Sequence, residues 1–116
     1  MSTEPPPALR ELLATPIDPV LADLNRLRVA AALVGLPPEA HLGFTALRKL
    51  LRMTDGNLGQ HVRVLVETGY VDVTRITHGR RQQSLYRITV QGRAAFERHS
   101  EALAAIIAAS QHPPGG

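Results

Sequence analysis

The residues whose types and spacing point to chemistry lie in one stretch, TDGNLGQHVRVLVETGYV, positions 54 to 71. Thr54, Asp55, Gly56, Asn57, Gln60, His61 and Arg63 gather there, where a surface helix ordinarily carries Glu and Lys. Asn and Gln each hold a donor and an acceptor in one plane, the pairing that meets an adenine edge with two hydrogen bonds in the major groove. Arg63 can bond a guanine edge or a phosphate. Thr54 and the free N–H groups of a first helical turn make a seat for a phosphate. Gly56 costs a helix about 1 kcal/mol relative to Ala, but it lets a backbone come close. Asp55 runs against the pattern, because it repels a DNA backbone unless it accepts from a cytosine amino group. Taken singly, each residue has a plainer explanation: Asn and Gln are common on surfaces, and His61 fits beside Tyr70. Together on one face, they point to the reading of base edges.

Catalysis has no comparable constellation. No serine has a His and an acid at legible spacing, no glycine-rich loop precedes a GKS or GKT, and the ten acidic residues form no obvious pair. The five histidines, at 41, 61, 78, 99 and 112, include no i, i+4 pair, and there is no cysteine to join them at a zinc ion. We therefore expect no metal, no cofactor and no enzymatic activity. A cysteine-free chain has no disulfides or thiolates and suits the cytoplasm. No run of about 18 uncharged apolar residues offers a transmembrane span. The opening MSTEPPPALRE, with an acid and three prolines, does not read as a signal peptide.

The net charge of +3 hides a distribution. From Phe44 to Arg93 there are nine basic residues against three acidic ones, whereas the rest of the chain has four against seven. Basic charge is thus concentrated in the middle, where a polyanion would dock. A solvated basic surface accounts for the same charge equally well.

The hydrophobic pattern gives the elements that must position these residues. At 116 residues the chain is expected to form one domain. Residues 1–8 and 111–116 read as flexible tails around a domain at 9–110. PALRELLAT is a short helix stopped by Pro16, and DPVLADLNRLRVAAALVG is a second, with Asp18 as N-cap and Pro19 at its first position. FTALRKLLRM reads as a third, capped by Thr45, with Leu47, Leu50 and Leu51 inward and Arg48, Lys49 and Arg52 outward. A tight break leads to the helix 54–68. Thr54 caps it, Leu58, Val62, Leu65 and Val66 form its buried stripe, and Gly69 ends it in a left-handed conformation. YVDVTRI and LYRITV alternate as strands around an eight-residue polar tip, THGRRQQS, at 77–84. Arg80 and Arg81 sit at that tip, where long side chains can enter a minor groove or grip phosphates. Thr89 caps a last helix over 91–109. This order makes a mainly α fold with a β-hairpin wing, a winged helix-turn-helix.

These residues resemble the small bacterial winged-helix transcriptional regulators of the MarR and ArsR type. Leu58, His61, Val62, Leu65, Gly69 and Tyr70 carry the likeness in the recognition helix, and GRRQQSLYRIT carries it in the wing. TVQGR, 89 to 93, resembles the Thr-x-x-Gly-Arg that opens the dimerisation helix of the MarR branch, with Val90 where that branch often has proline. The likeness spans about residues 17 to 105. It implies a homodimeric regulator of double-stranded DNA, usually a repressor on a pseudo-palindromic operator. The recognition helix would dock through Thr54 to Arg63, with Thr45 and Arg48 just before it, and the wing through Arg80 and Arg81. The cysteines or paired His and Asp of metal-sensing ArsR proteins are absent, so metal sensing is not implied.

The residues themselves also point to dimerisation. The last helix carries Phe96, Leu103, Ile106 and Ile107 among alanines and nothing charged after Glu101. Pairing across a two-fold axis would cover this apolar end, with Leu9, Leu12 and Leu13 of the first helix as partners; packing back on its own domain is the alternative. A small-molecule or protein effector is not named by the sequence, although a cleft between winged domain and dimer helices is the place for one. A second reading stays open: a dimeric winged-helix module whose basic face meets RNA or an acidic protein.

Overall fold

Among the described residues, 3–112 of a computed structural model, five helices and three strands follow one another. They are α1 (Pro7–Leu13), α2 (Leu24–Val34), β1 (Leu42–Gly43), α3 (Phe44–Leu51), α4 (Asp55–Thr68), β2 (Val71–His78), β3 (Arg81–Ile88) and α5 (Val90–Gln111). Residues 1, 2 and 113–116, parts of the expected tails, lie outside the described residues. Helix α1 already begins at Pro7, and α5 runs two residues past the expected 109. No described helix is long and apolar enough to cross a membrane.

The core is made where α2, α3 and α4 meet the sheet. Leu21, Val29, Leu33, Leu47, Leu58, Leu65 and Val71 are each at most 1% exposed. Helix α4 starts and stops as its own residues dictate. The Thr54 hydroxyl accepts the Asn57 N–H at 3.1 Å, and Gly69 takes φ +87°, a conformation that a Cβ disfavours. The break before it is made by Arg52, held at φ 55° in the left-handed region, while the Met53 N–H closes back on the Arg48 carbonyl at 3.1 Å.

Three local expectations are corrected. Asp18 does cap, accepting the N–H groups of Val20 and Leu21, but only for a single turn closed by the Ala22 N–H on the Asp18 carbonyl. Asp23 then turns extended and caps α2 afresh by accepting the Arg26 N–H at 3.0 Å. Helix α3 starts one residue before Thr45 and its N-cap is Gly43, because β1 runs directly into it. Leu42 and Gly43 pair with Tyr86 and Leu85, and the Phe44 and Tyr86 rings meet at 6.4 Å. That register turns Leu47 inward and leaves Leu50 62% exposed, so Leu50 is not a core residue.

The sheet is antiparallel in the order β1-β3-β2. Strands β2 and β3 pair continuously from Val71 opposite Ile88 to His78 opposite Arg81. The expected eight-residue tip is therefore a turn of two residues, Gly79 and Arg80, with Gly79 at φ +61°. The polar run THGRRQQS concealed strand because a ribbon exposed on both faces needs backbone pairing but no apolar alternation.

Helix α5 is fastened where α4 ends. The Thr89 N–H donates to the Tyr70 carbonyl at 3.0 Å, and the Thr89 hydroxyl donates to the Gly69 carbonyl at 2.7 Å while accepting the Gly92 N–H. Gly92 is required here by closeness, since a Cβ on it would lie 2.1 Å from the Tyr70 carbonyl oxygen. Helix α1 packs along α5 of the same chain. The result is elongated, 71 × 26 × 21 Å, with a radius of gyration of 18.2 Å. A compact chain of this length would have about 13 Å.

Candidate nucleic-acid interface

Helix α4 has two unlike sides. Leu58, Val62 and Leu65 are buried, whereas Thr54, Asp55, Gly56, Asn57, Gln60 and Arg63 are exposed. Gly56 meets nothing within 4 Å of where a Cβ would stand, and the same holds one turn on for Gly59, a residue that residue type alone does not single out. Neither glycine is required by packing among the described residues. Both lower helix stability, by about 1 kcal/mol each relative to Ala.

His61 is corrected: it is buried, 7% exposed, and cannot read a base edge. Its position is three residues after Leu58 and four before Leu65, which puts it in the buried stripe whatever its type. Among the described residues its Nδ1 has no hydrogen-bond partner, and it lies 3.9 Å from Asp23 Oδ1, beyond hydrogen-bond length.

Asp55 and Arg48, expected as separate docking residues, form an ion pair at 2.9 Å. This pair answers the difficulty posed by an acid at the docking end, because Arg48 offsets the Asp55 charge, which also suits the helix N-terminus. Thr45 is exposed in the first turn of α3. At Thr54 the hydroxyl oxygen is used for capping, so the Asn57 N–H is already taken.

Arg80 occupies the turn of the wing and Arg81 the first position of β3; both are exposed. The structure adds Arg75. Val71, Val73 and Arg75 alternate onto one face of β2, so Arg75 continues the inward face beyond the core. With Arg63 it lines a cleft of about 340 Å³ between α4 and the wing, floored by Phe44, Val62, Val73 and Tyr86. The period-two parity from Val71 was the signal for it. Arg87 is occupied elsewhere, donating to Asp72 at 3.0 Å and to Glu39 at 2.5 Å. The Asp72 hydrogen bond and the Glu39 charge hold its guanidinium above its usual range.

The expected dimer residues divide. Phe96 is half-buried, with part of its ring against the core of its own domain. Leu9, Leu12, Leu103 and Ile106 are half-buried, while Leu13 and Ile107 are 52% and 56% exposed. No three potential metal ligands come together among the described residues.

A family model, the winged helix DNA-binding domain, matches residues 26–107. The chain belongs to this family. Over 74 residues this winged-helix chain is 34% identical to an uncharacterized protein of Methanocaldococcus jannaschii, covering 64% of this chain and 77% of that protein. A transcriptional regulator homologue from Pyrococcus horikoshii superposes with TM-score 0.72 at 27% identity, covering 88% of this chain and 95% of that one. The PcaV transcriptional regulator of Streptomyces coelicolor, solved with its natural ligand, shares the fold at TM-score 0.65 and 21% identity, over 92% and 74% of the two chains. A mutant MarR of E. coli shares it at TM-score 0.63 and 17% identity, over 94% and 84%. The fold of this winged-helix chain is thus the MarR-like one.

Proposed function

We propose that this winged-helix chain is a cytoplasmic, homodimeric, sequence-specific regulator of transcription that represses from a pseudo-palindromic operator in double-stranded DNA. Helix α4 enters the major groove, where Asn57, Gln60 and Arg63 read base edges and Asp55, neutralised by Arg48, accepts from a cytosine amino group. Thr45 and Thr54, at the starts of α3 and α4, meet phosphates. The wing lays Arg80 and Arg81 in the minor groove or on the strand rails, and Arg75 adds charge beside Arg63.

One observation supports this most: the exposed side of α4 carries two amides, an arginine and Gly56, and both Gly56 and the half-buried Gly59 have open space before them. A helix kept less stable than it need be, with no internal use for its glycines, is explained by a backbone that must come close to an outside partner. Two such helices in a dimer would stand about one turn of DNA apart, roughly 34 Å.

Mobility shift against genomic fragments at several salt concentrations tests the reading. The expected result is nanomolar binding to a specific site with a steep salt slope. Arg80→Ala with Arg81→Ala should lower that slope by about 1 for each phosphate no longer neutralised, and Gln60→Ala should relax base preference. Weak, sequence-indifferent retention, or variants that change neither slope nor preference, would overturn it.

A further inference from the structure

The turn between α1 and α2 serves three elements at once. Asp18 Oδ1 accepts the N–H groups of Val20 at 2.8 Å and Leu21 at 3.0 Å. Its Oδ2 accepts the Tyr70 hydroxyl at 2.5 Å, and its own backbone N–H donates to His99 Nδ1 at 3.1 Å. Tyr70 follows the C-cap of α4, and His99 is a buried residue of α5, 2% exposed. These partners stand 52 and 81 residues from Asp18 in sequence. None of them belongs to the docking surface.

We propose that the Asp18–Tyr70–His99 cluster is a positioning joint that fixes the angle between α4 and α5, and with it the half-site spacing the dimer accepts. The spacing part rests on the DNA reading above. Tyr70 is held to α5 twice. Its carbonyl accepts the Thr89 N–H and lies against Gly92, at the start of α5. Its hydroxyl reaches α5 again through Asp18, at His99, seven residues further along and so about 10 Å up the helix axis. One attachment would leave a hinge; two at that separation hold an angle. If each recognition helix stands roughly 17 Å from the dimer axis, half of one DNA turn, a rotation of about 10° moves it by about 3 Å. That is close to the rise of one base pair, about 3.4 Å. A joint loosened by this much would accept a neighbouring spacing.

Because the chain has no cysteine, two introduced ones can be spin-labelled without background. Glu67→Cys on α4 and Glu101→Cys on α5 are both exposed positions. With labelled chain diluted into unlabelled, the α4–α5 distance distribution should be narrow in the parent and at least twice as broad in Tyr70→Phe and in His99→Leu. His99→Gln, whose side-chain oxygen still accepts the Asp18 N–H, should restore the narrow distribution. On duplexes carrying the same half-sites at 8 to 13 base pairs, centre to centre around one turn, Tyr70→Phe should flatten the spacing preference about tenfold. Affinity for a single half-site should stay within twofold. Unchanged distance distributions in Tyr70→Phe overturn the joint, as does half-site affinity falling in step with spacing preference. Failure of the parent to bind any duplex overturns the DNA reading instead, and the label distances still decide whether the joint holds.

Discussion

Gly56 is the residue at which stability and function pull apart most clearly. Open space surrounds its Cβ position, so Gly56→Ala should raise stability by up to about 1 kcal/mol in urea denaturation. The same methyl group should weaken binding to operator DNA; improved or unchanged affinity would show that α4 does not approach a partner there. Tyr70 and Asp18 give a prediction in pH. The hydrogen bond to the Asp18 carboxylate, then burial and the Asp18 charge, raise the Tyr70 phenol above its ordinary 10.0. Partial burial would raise the Asp18 carboxyl, but the Tyr70 hydroxyl and the Leu21 and Val20 N–H groups outweigh it and hold the carboxyl below 3.8. A raised tyrosine contributes stability that is complete below its unfolded value and lost as pH climbs through the folded one. A lowered carboxyl contributes stability present above its unfolded value and lost as pH falls through the folded one. Melting temperature should therefore fall above about pH 10 in the parent, and Tyr70→Phe should remove part of that alkaline limb. At this scale the sequence was half legible: residue types at 57, 60 and 63 pointed outward correctly, while His61 was misjudged by its type when its spacing from Leu58 and Leu65 already placed it inside.

At the scale of elements, α4 and α5 were readable because their signals are local. Thr54, Gly69 and Thr89 each act on backbone groups within a few residues, and the buried stripe of α4 repeats within its own length. The sequence marked the glycine of TVQGR only as part of a family pattern; packing supplies its reason, the approach of α5 to the Tyr70 carbonyl. Gly92→Ala must push these backbones apart, and we expect destabilisation by about 1–3 kcal/mol or more on overpacking grounds, measured by denaturant unfolding. A neutral outcome would mean that the end of α4 and the start of α5 are not seated as described. The strand β1 escaped notice because two residues carry no period, and its pairing with β3 is non-local.

The whole molecule is more extended than a compact chain of its length, and the proposed dimer would cover apolar side chains near the ends of α1 and α5. Leu13 and Ile107 remain more than half exposed after α1 has packed on α5. Ile107→Glu should convert a dimer to a monomer in sedimentation and reduce operator affinity toward that of one half-site. A variant that stays dimeric would move the interface away from this end of α5.

By itself the sequence determined the winged-helix order of elements, the two faces of α4 and the caps at its ends. Hydrophobic period and side-chain capping act over three or four residues, and so they are written where they act. Tertiary structure alone decided the Arg48–Asp55 pair, the seat of Arg75 opposite Arg63 and the meeting of Asp18 with Tyr70 and His99. Each of these brings groups from different elements together, and only the packing of those elements sets that proximity.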